Sequence, residues 1–568
     1  MDAKIYPAPP RQTVQAQFSD GRAFEGPAGT PIEQFVNAAQ PEAEAEIVAV
    51  LCNGRLRELS FPLNSDARIA PITSADSDGT RIYRRSLTFL MIAAAAELFP
   101  EQSITVHHSL PFGGYYCERD DNGLFSQAEL ERLAQRMREL VQANLPISQV
   151  RVPLDEALRL FQEGGDKEKA DLFAKRRKDY LTLYELNGVR DYLHGFMVPR
   201  TSYLGYFALH PYNRGFILQF PRRQAPDCLQ PFEDEPRLAQ VFRDYGDWLK
   251  IIGTPSVAAL NRAITHGREQ EIMLVAEAFH EQQLTTIAAQ IAARRHEVKV
   301  ALISGPTSAG KTTFSKRLAI QLIAQGIYPV TIAMDNYFVD RDATPRDEYG
   351  DYDYEAVEAV DVPLFRQHLR QLLAGGTIIQ PVYNFFTGQR EEGQPLSIGR
   401  DHIILIEGIH GLNPRLVRDI PPTALYRIFI SAFTQLNLDK HNRVPTTDTR
   451  MLRRIVRDAA HRGYTAADTI DRWPSVRRGE KRHIFPFQNN ADFFFNSALV
   501  YELSALKPLA QPLLLQVEPG TPARIEANRL LAFLQWFDPV NVDLIPSDSI
   551  LREFIGGSIL ANFEPWRQ

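Results

Sequence analysis

The octapeptide Gly305-Pro306-Thr307-Ser308-Ala309-Gly310-Lys311-Thr312 constrains this chain more than any other stretch of it. It follows an apolar run of buried-strand type, Val298 to Ser304, and leads into helical text from Thr313. It therefore fits GxxxxGK[ST] in the strand–loop–helix context that gives the motif its meaning. Glycines let the backbone fold around an anion with its N–H groups pointing inward, and the helix N-terminus adds positive potential. Lys311 is placed to reach β- and γ-phosphates and Thr312 to hold Mg²⁺. The expected ligands are ATP and Mg²⁺, with Gly305, Pro306, Thr307, Ser308, Ala309, Gly310, Lys311, Thr312 and Thr313 as the ATP-binding set. From Val298 to about Tyr501, short apolar runs alternate with helical ones, the α/β signature of a parallel sheet.

Other candidates lie at the ends of the neighbouring runs. His402 to Ile406 reads as a strand ending at Glu407-Gly408, where a carboxylate can hold the metal as a Walker B acid does. The alternative is a strand-end acid capping a helix. Pro329 to Met334 reads as a strand ending at Asp335, and a βαβ unit returns that residue to the edge occupied by Gly305. A carboxylate there can accept the proton of an attacking hydroxyl, the alternative being a turn or metal-only aspartate. Arg450, Arg453, Arg454 and Arg457, at i, i+3, i+4 and i+7, put four guanidiniums on one helix face, with Arg462-Gly463 following. The spacing predicts an arginine-bearing lid over transferring phosphates; a solvated face or an RNA patch is the other reading.

The 568 residues correspond to about four domains at ~150 residues each. A hydrophobic share of 44% and a charged share of 23% fit a folded globular chain, and a net charge of −6 excludes a protein that is basic throughout. Cys52, Cys117 and Cys228 form no CxxC pair, which argues against a disulfide framework or cysteine zinc site. Residues 1–10 carry no apolar signal core. The greasiest stretch, Leu87 to Phe99, is too short for a bilayer span of ~20 residues. A soluble, cytoplasmic protein with no membrane partner is expected.

In the front of the chain, Val14, Ala16 and Phe18 alternate as in a half-buried strand, and Asp20-Gly21 marks a hairpin. Thr30-Pro31-Ile32-Glu33 predicts a helix capped by Thr30 with Glu33 closing a capping box. Further helices are predicted at Ser86 to Leu98 and Ser126 to Ala143. Residues 221–236, with four prolines, read as a linker. A connector helix within 256–295 has Leu274, Ala278, Leu284, Ile287 and Ile291 on its predicted packing face.

These motifs resemble the uridine kinase/phosphoribulokinase family of P-loop kinases over about Val298 to Tyr501. The resemblance rests on GPTSAGKTT at Gly305, AMDNYF at Ala333, DYDYEAVEAVD at Asp351, PVYNFF at Pro381, LIEG at Leu405 and RRIVRDAAHRG at Arg453. It implies that Asp335 is the base for a sugar 5′-hydroxyl, with Lys311 as its catalytic partner. It implies that Glu355 binds the ribose and that Tyr383 lies at the nucleobase, where Phe385 can stack as well. It matches Arg454, Arg457 and Arg462 to the family's lid arginines, Arg454 also serving the acceptor; the helical spacing adds Arg453 to the lid, and the phosphate-loop and strand-end readings give Thr312 and Glu407 to the metal. Two positions depart from the pattern. Uridine–cytidine kinases carry a histidine five residues after the tyrosine, where this chain has Gly388, and a second lid arginine aligns with Tyr464. Weaker pyrimidine selectivity is the expectation.

The first 225 residues resemble the N-terminal half of threonyl-tRNA synthetases, with a TGS-like β-grasp module and then an editing-like domain. The editing site of that family uses HxxxH and CxxxH; here those positions are Arg85, Phe89, Leu193 and Met197, which cannot serve as metal ligand or general base in that way. The order of parts, with SILREFIGGS at Ser549, resembles a bacterial group of TGS-containing uridine kinase-like proteins. The expected fold is a multidomain α+β and α/β chain. It comprises a TGS-like domain at 12–73, a degenerate editing-like domain at 74–225 and connector helices at 226–295. A P-loop kinase domain follows at 296–503, then a C-terminal extension at 504–568. The expected activity is ATP-dependent phosphorylation of a small-molecule hydroxyl, a nucleoside by resemblance, with RNA or a regulatory ligand as a partner of the front half. A regulatory, RNA- or ribosome-associated P-loop ATPase is the alternative.

Overall fold

Alternation along Thr13–Phe18 decides the first sheet: Val14, Ala16 and Phe18 are buried while Gln15 and Gln17 face water. A computed structural model describes residues 11–121, 123–176, 178–399 and 401–565; residues 1–10, on which the reading of the N-terminus rests, lie outside them. The first sheet runs, edge to edge, Ala23–Pro27, Thr13–Phe18, Ala67–Thr73, Ile47–Cys52 and Arg55–Glu58. Only the pairing of Thr13–Phe18 with Ala67–Thr73 is parallel. Helix Ile32–Ala39 packs Ile32, Phe35 and Val36 against it. The predicted capping box does not form. Thr30 and Pro31 instead pair as a two-residue strand with Pro62–Leu63, the helix starts at Ile32 without a side-chain cap, and Glu33 accepts a hydrogen bond from the Tyr203 hydroxyl.

Helix Ser77–Leu98 starts at Ser77, not Ser86, and its first turn, at Gly79, lies tight against the preceding strand. A Cβ there would come within 1.8 Å of the Thr73 carbonyl oxygen, so a residue that reads as a turn former marks a close approach between helix and strand. This helix, with helix Gln127–Gln142, covers a four-stranded antiparallel sheet in the order Ala208–Tyr212, Gly215–Gln219, Gly114–Arg119, Ile104–Leu110. Phe89, Leu193 and Met197 lie in that core, and Arg85 donates to the Phe196 carbonyl oxygen at 2.5 Å.

The second half is built on a five-stranded sheet in the order Tyr328–Ala333, His402–Glu407, Val300–Ser304, Leu425–Ser431, Phe493–Asn496, parallel throughout. Every residue of Val300–Ser304 is buried, as a central parallel strand covered on both faces requires. Helices Glu502–Leu515 and Pro522–Leu534 and the single turn Arg552–Ile555 belong to the same core. Leu506, Leu530, Ile550 and Phe554 cluster with Ile303 and Phe314. In the connector helix Glu269–Ala293, Leu284, Ile287 and Ile291 are buried as predicted. Leu274 and Ala278 are exposed, and Ile272, Met273 and Ala276 take the inner face in their place. Among the described residues no helix is long and apolar enough to cross a membrane.

Candidate active site

Three strands of the parallel sheet deliver chemistry to one edge. Val300–Ser304 runs into the phosphate loop, Tyr328–Ala333 leads to Asp335, and His402–Glu407 ends at its carboxylate. Glu407 is level with Ile303 on one side and Ala333 on the other, so the acids arrive at the height of the loop.

The loop's shape depends on its glycines. A Cβ on Gly305 would meet the Ile430 carbonyl oxygen at 2.0 Å. Gly310, at φ +88°, would press one to 2.5 Å from Ile550 Cγ2. Lys311 is buried and its Nζ donates to the Pro306 carbonyl oxygen at 3.2 Å, folding the ammonium back over the loop. The buried Ser308 hydroxyl has no hydrogen-bond partner. Thr312 Oγ1 donates to Glu407 Oε2 at 3.2 Å.

Burial pushes the Glu407 carboxyl up to about 7. Asp335 and Glu553 add repulsion, and Lys311 opposes the shift. Asp335 opens to the solvent of the cleft but lies among enough protein to raise its carboxyl, while Lys311, Arg462 and Arg457 pull it back. Among the described residues no cluster of three or more His, Cys, Asp or Glu is arranged to hold a metal ion, but the Thr312 hydroxyl and the Glu407 carboxylate, 3.2 Å apart, are oxygen donors of the kind a hard divalent cation takes. Thr312 and Glu407 would hold Mg²⁺ there.

Glu355 and Tyr383 are two further candidates, Glu355 within the electrostatic reach of Lys311. Glu355 Oε2 and the hydroxyl of Tyr383 are both buried without a hydrogen-bond partner. Burial pushes Glu355 up to about 7, with repulsion from Glu480 and opposing pull from Arg454 and Lys311. Helix Ala466–His483 closes against it at Gly479, where a Cβ would lie 2.3 Å from that of Glu355. The rings of Phe338, Tyr383 and Phe385 meet edge to face, with centroids 5.0 to 6.3 Å apart. Together they make an aromatic corner of the kind that holds a flat ligand.

The arginine helix, Thr446–His461, divides its guanidiniums by turn. Arg450 and Arg453 are fully buried. Arg450 pairs with Glu480 and donates to the Thr307 carbonyl oxygen at 3.0 Å. Arg453, expected in the lid, is instead a core anchor: it binds Glu502 at 2.5 Å and the Ser497 carbonyl oxygen at 2.7 Å. One turn on, Arg454 and Arg457 bind the buried Asp458 at 3.1 and 2.8 Å, and Arg462 approaches it at 3.7 Å. A shared face predicts four equivalent arginines; the 5.4 Å pitch separates a pair beneath the loop from a group at the cleft.

Four residues here were not singled out from sequence. Asp458 gathers the cleft arginines, and its signal was its position four residues after Arg454 and four before Arg462. Glu480 links Arg450 to the Thr307 N–H at 3.3 Å. Glu553, in the C-terminal turn, accepts from the Thr313 N–H at 3.0 Å, one of the first-turn donors a phosphate would use. Arg341 donates from Nη2 to the Phe385 carbonyl oxygen at 2.8 Å. It also fills the space beside Gly388, where a Cβ would meet its Cζ at 2.7 Å.

Residues 300–504 match the Phosphoribulokinase / Uridine kinase family. The chain carries a domain of this family. Its N-terminal half matches threonine–tRNA ligases. The ligase of Geobacter sp. (strain M21) is 29% identical over 196 residues, covering 34% of this chain and 31% of that protein. The ligase of Acidithiobacillus ferrooxidans (strain ATCC 53993 / BNL-5-31) is 33% identical over 163 residues, covering 28% of this chain and 25% of that protein. The chain thus spans about a third or less of the length of these curated relatives. Among solved structures, one described as a possible uridine kinase from Bacillus stearothermophilus is 24% identical. It covers 23% of this chain and 70% of its own, with a TM-score of 0.20.

Proposed function

We propose that the chain is an ATP- and Mg²⁺-dependent kinase that phosphorylates a hydroxyl of a small molecule, most readily the 5′-hydroxyl of a nucleoside. The carrying observation is that two polar atoms, Glu355 Oε2 and the Tyr383 hydroxyl, are buried and unpaired, Glu355 lying close enough to Lys311 to feel its charge. A regulatory ATPase needs a phosphate loop and a water, but no such buried, unpaired groups. Unpaired buried polar atoms are destabilising, by ~1–3 kcal/mol each, unless a ligand meets them.

In this reading the loop N–H groups and Lys311 bind the ATP phosphates, and Thr312 and Glu407 would hold Mg²⁺, which when bound would help neutralise charge on the transferring group. Asp335 accepts the proton of the attacking hydroxyl, and Glu355 orients the sugar. Lys311, Arg457 and Arg462 offset the charge that develops on the phosphoryl oxygens. Glu553 leaves the Thr313 N–H when a phosphate takes its place.

The division into a TGS-like domain at 12–73, an editing-like domain at 74–225, connector helices at 226–295, a kinase domain at 296–503 and an extension at 504–568 belongs to the same proposal. The largely distinct clusters of the first sheet and of the helix Ser77–Leu98 region support the boundary near residue 73, although Val48 and Ala49 pack with the second, whereas the connector helices, kinase sheet and C-terminal extension share one core. The apolar filling around positions 89, 193 and 197 favours a front half without editing; its binding of RNA or a regulatory ligand, for which the similarity to threonine–tRNA ligases speaks, and a cytoplasmic location belong to the same proposal. An acceptor screen with purified protein, ATP and Mg²⁺ tests the kinase reading, with ADP release compared against a no-acceptor blank. ADP release that no acceptor stimulates favours the ATPase.

A further inference from the structure

We infer that Arg341 selects the acceptor, favouring a nucleoside whose base presents a carbonyl at its edge over one that presents an amine there. The inference rests on the kinase reading and deepens it by naming the substrate class.

Three observations carry it. First, the corner formed by Phe338, Tyr383 and Phe385 is open on one side: Tyr383 is buried, but Phe385 keeps more than half its surface in solvent. A flat ring entering there covers Phe385 and reaches the unpaired Tyr383 hydroxyl. Second, Arg341 borders this corner. Its backbone N–H donates to the Gly388 carbonyl oxygen at 2.8 Å, and its Nη2 donates to the Phe385 carbonyl oxygen at the same distance. Third, no side chain on residue 388 can serve in its place. Gly388 has φ +75°, and a Cβ there would come within 2.7 Å of both Nε and Cζ of Arg341. The guanidinium thus occupies the ground beside the aromatic corner.

The chemistry of that group sets the preference. A guanidinium carries five N–H donors and no acceptor, and cannot be deprotonated in a protein. One donor is used on Phe385, and among the described residues Arg341 makes no ion pair. Its other N–H groups can meet a carbonyl oxygen, or a carbonyl with an adjacent ring nitrogen, as in the fork that reads guanine. An exocyclic amine in the same place sets donor against donor. Uridine, inosine and guanosine are therefore favoured, and cytidine and adenosine disfavoured. Ring size discriminates less, because the corner is open.

The experiment measures kcat/KM for uridine, guanosine, cytidine and adenosine at saturating Mg·ATP, in the parent and in Arg341→Ala and Arg341→Gln. Binding of each nucleoside is followed in parallel by calorimetry. The parent is expected to favour uridine over cytidine, and guanosine over adenosine, by about 5- to 150-fold, the range of one good two-point contact. Arg341→Ala is expected to bring both ratios near one through acceptor KM. Arg341→Gln, which can accept as well as donate, is expected to recover cytidine and adenosine. A group that only braces the hairpin would lower all four alike, and uniform loss overturns the inference. So does a parent without oxo preference, or a preference that persists in Arg341→Ala. If no nucleoside is phosphorylated but oxo nucleosides bind selectively, the kinase reading fails and the role of Arg341 stands. If none binds, the inference fails.

Discussion

At the scale of single residues, Lys311, Asp335 and Glu355 share a cleft but bear on different steps, and substitution can separate them. Lys311→Ala removes the phosphate contact, so turnover is expected to vanish in a folded protein. Asp335→Asn keeps the shape and removes the base. kcat is expected to fall by at least ~10², the low end of general-base contributions, while binding of a fluorescent ATP analogue persists. Glu355 adds a pH signature. With its carboxyl pushed up to about 7 by burial, it is largely protonated below that pH, and an acid accepts hydrogen bonds from sugar hydroxyls less well than its anion. Acceptor KM is therefore expected to fall as pH rises through about 7 and to level off above it. In Glu355→Gln the KM should be high at every pH and the inflection gone. An inflection that survives assigns the titration to another group.

At the scale of elements, the arginine helix and the C-terminal turn carry the next tests. Arg453→Ala leaves Glu502 buried and unpaired, so a stability loss of about 3–5 kcal/mol is expected in denaturant unfolding. Arg457→Ala, one turn on and partly exposed, should unfold near the parent midpoint while kcat drops. Equal destabilisation by both would contradict the division of the helix. Glu553→Gln removes the anion that meets the Thr313 N–H, and the expected outcome is a lower KM for ATP with the fold retained. An unchanged KM would mean that the contact does not compete with phosphate. The sequence made these elements legible unevenly. The phosphate loop, Asp335 and Glu407 were readable because strand, turn and helix are local and each chemistry sits at a strand end. Arg341 and Glu553 were not, because they reach the site from 44 residues before Phe385 and 240 residues after Thr313, a closure that periodicity does not encode. Leu274 was misplaced for a related reason: in a helix apolar on more than one side, only the tertiary partner selects the inner face.

At the scale of the whole molecule, the front half is tied into the kinase-family half by groups that would be left unpaired without it. The Val106 N–H donates to the Lys440 carbonyl oxygen at 2.8 Å, and the Asn437 amide donates to the Val106 carbonyl oxygen at 2.9 Å. Lys169 is buried, binds Asp191 at 2.5 Å and lies 3.9 Å from the buried Asp439, while His441 Nδ1 sits 2.6 Å from the other Asp191 oxygen. Arg81 binds Glu526 at 2.9 Å, and Arg529, which also binds Glu526, holds Asp448 in the first turn of the arginine helix at 2.6 Å. A buried pair that loses one member typically destabilises by 3–5 kcal/mol, a large share of the ~5–15 kcal/mol that stabilises a domain. The two halves are therefore expected to unfold together. Scanning calorimetry of the full chain should give one main transition. A nucleotide bound at 100 times its Kd should stabilise that transition as a whole by ~2.7 kcal/mol. Lys169→Met should lower the same transition, although Lys169 lies in the front half and touches no part of the phosphate loop. Two transitions, of which only one responds to nucleotide and the other to Lys169→Met, would show instead that the halves fold independently and that these contacts only dock them.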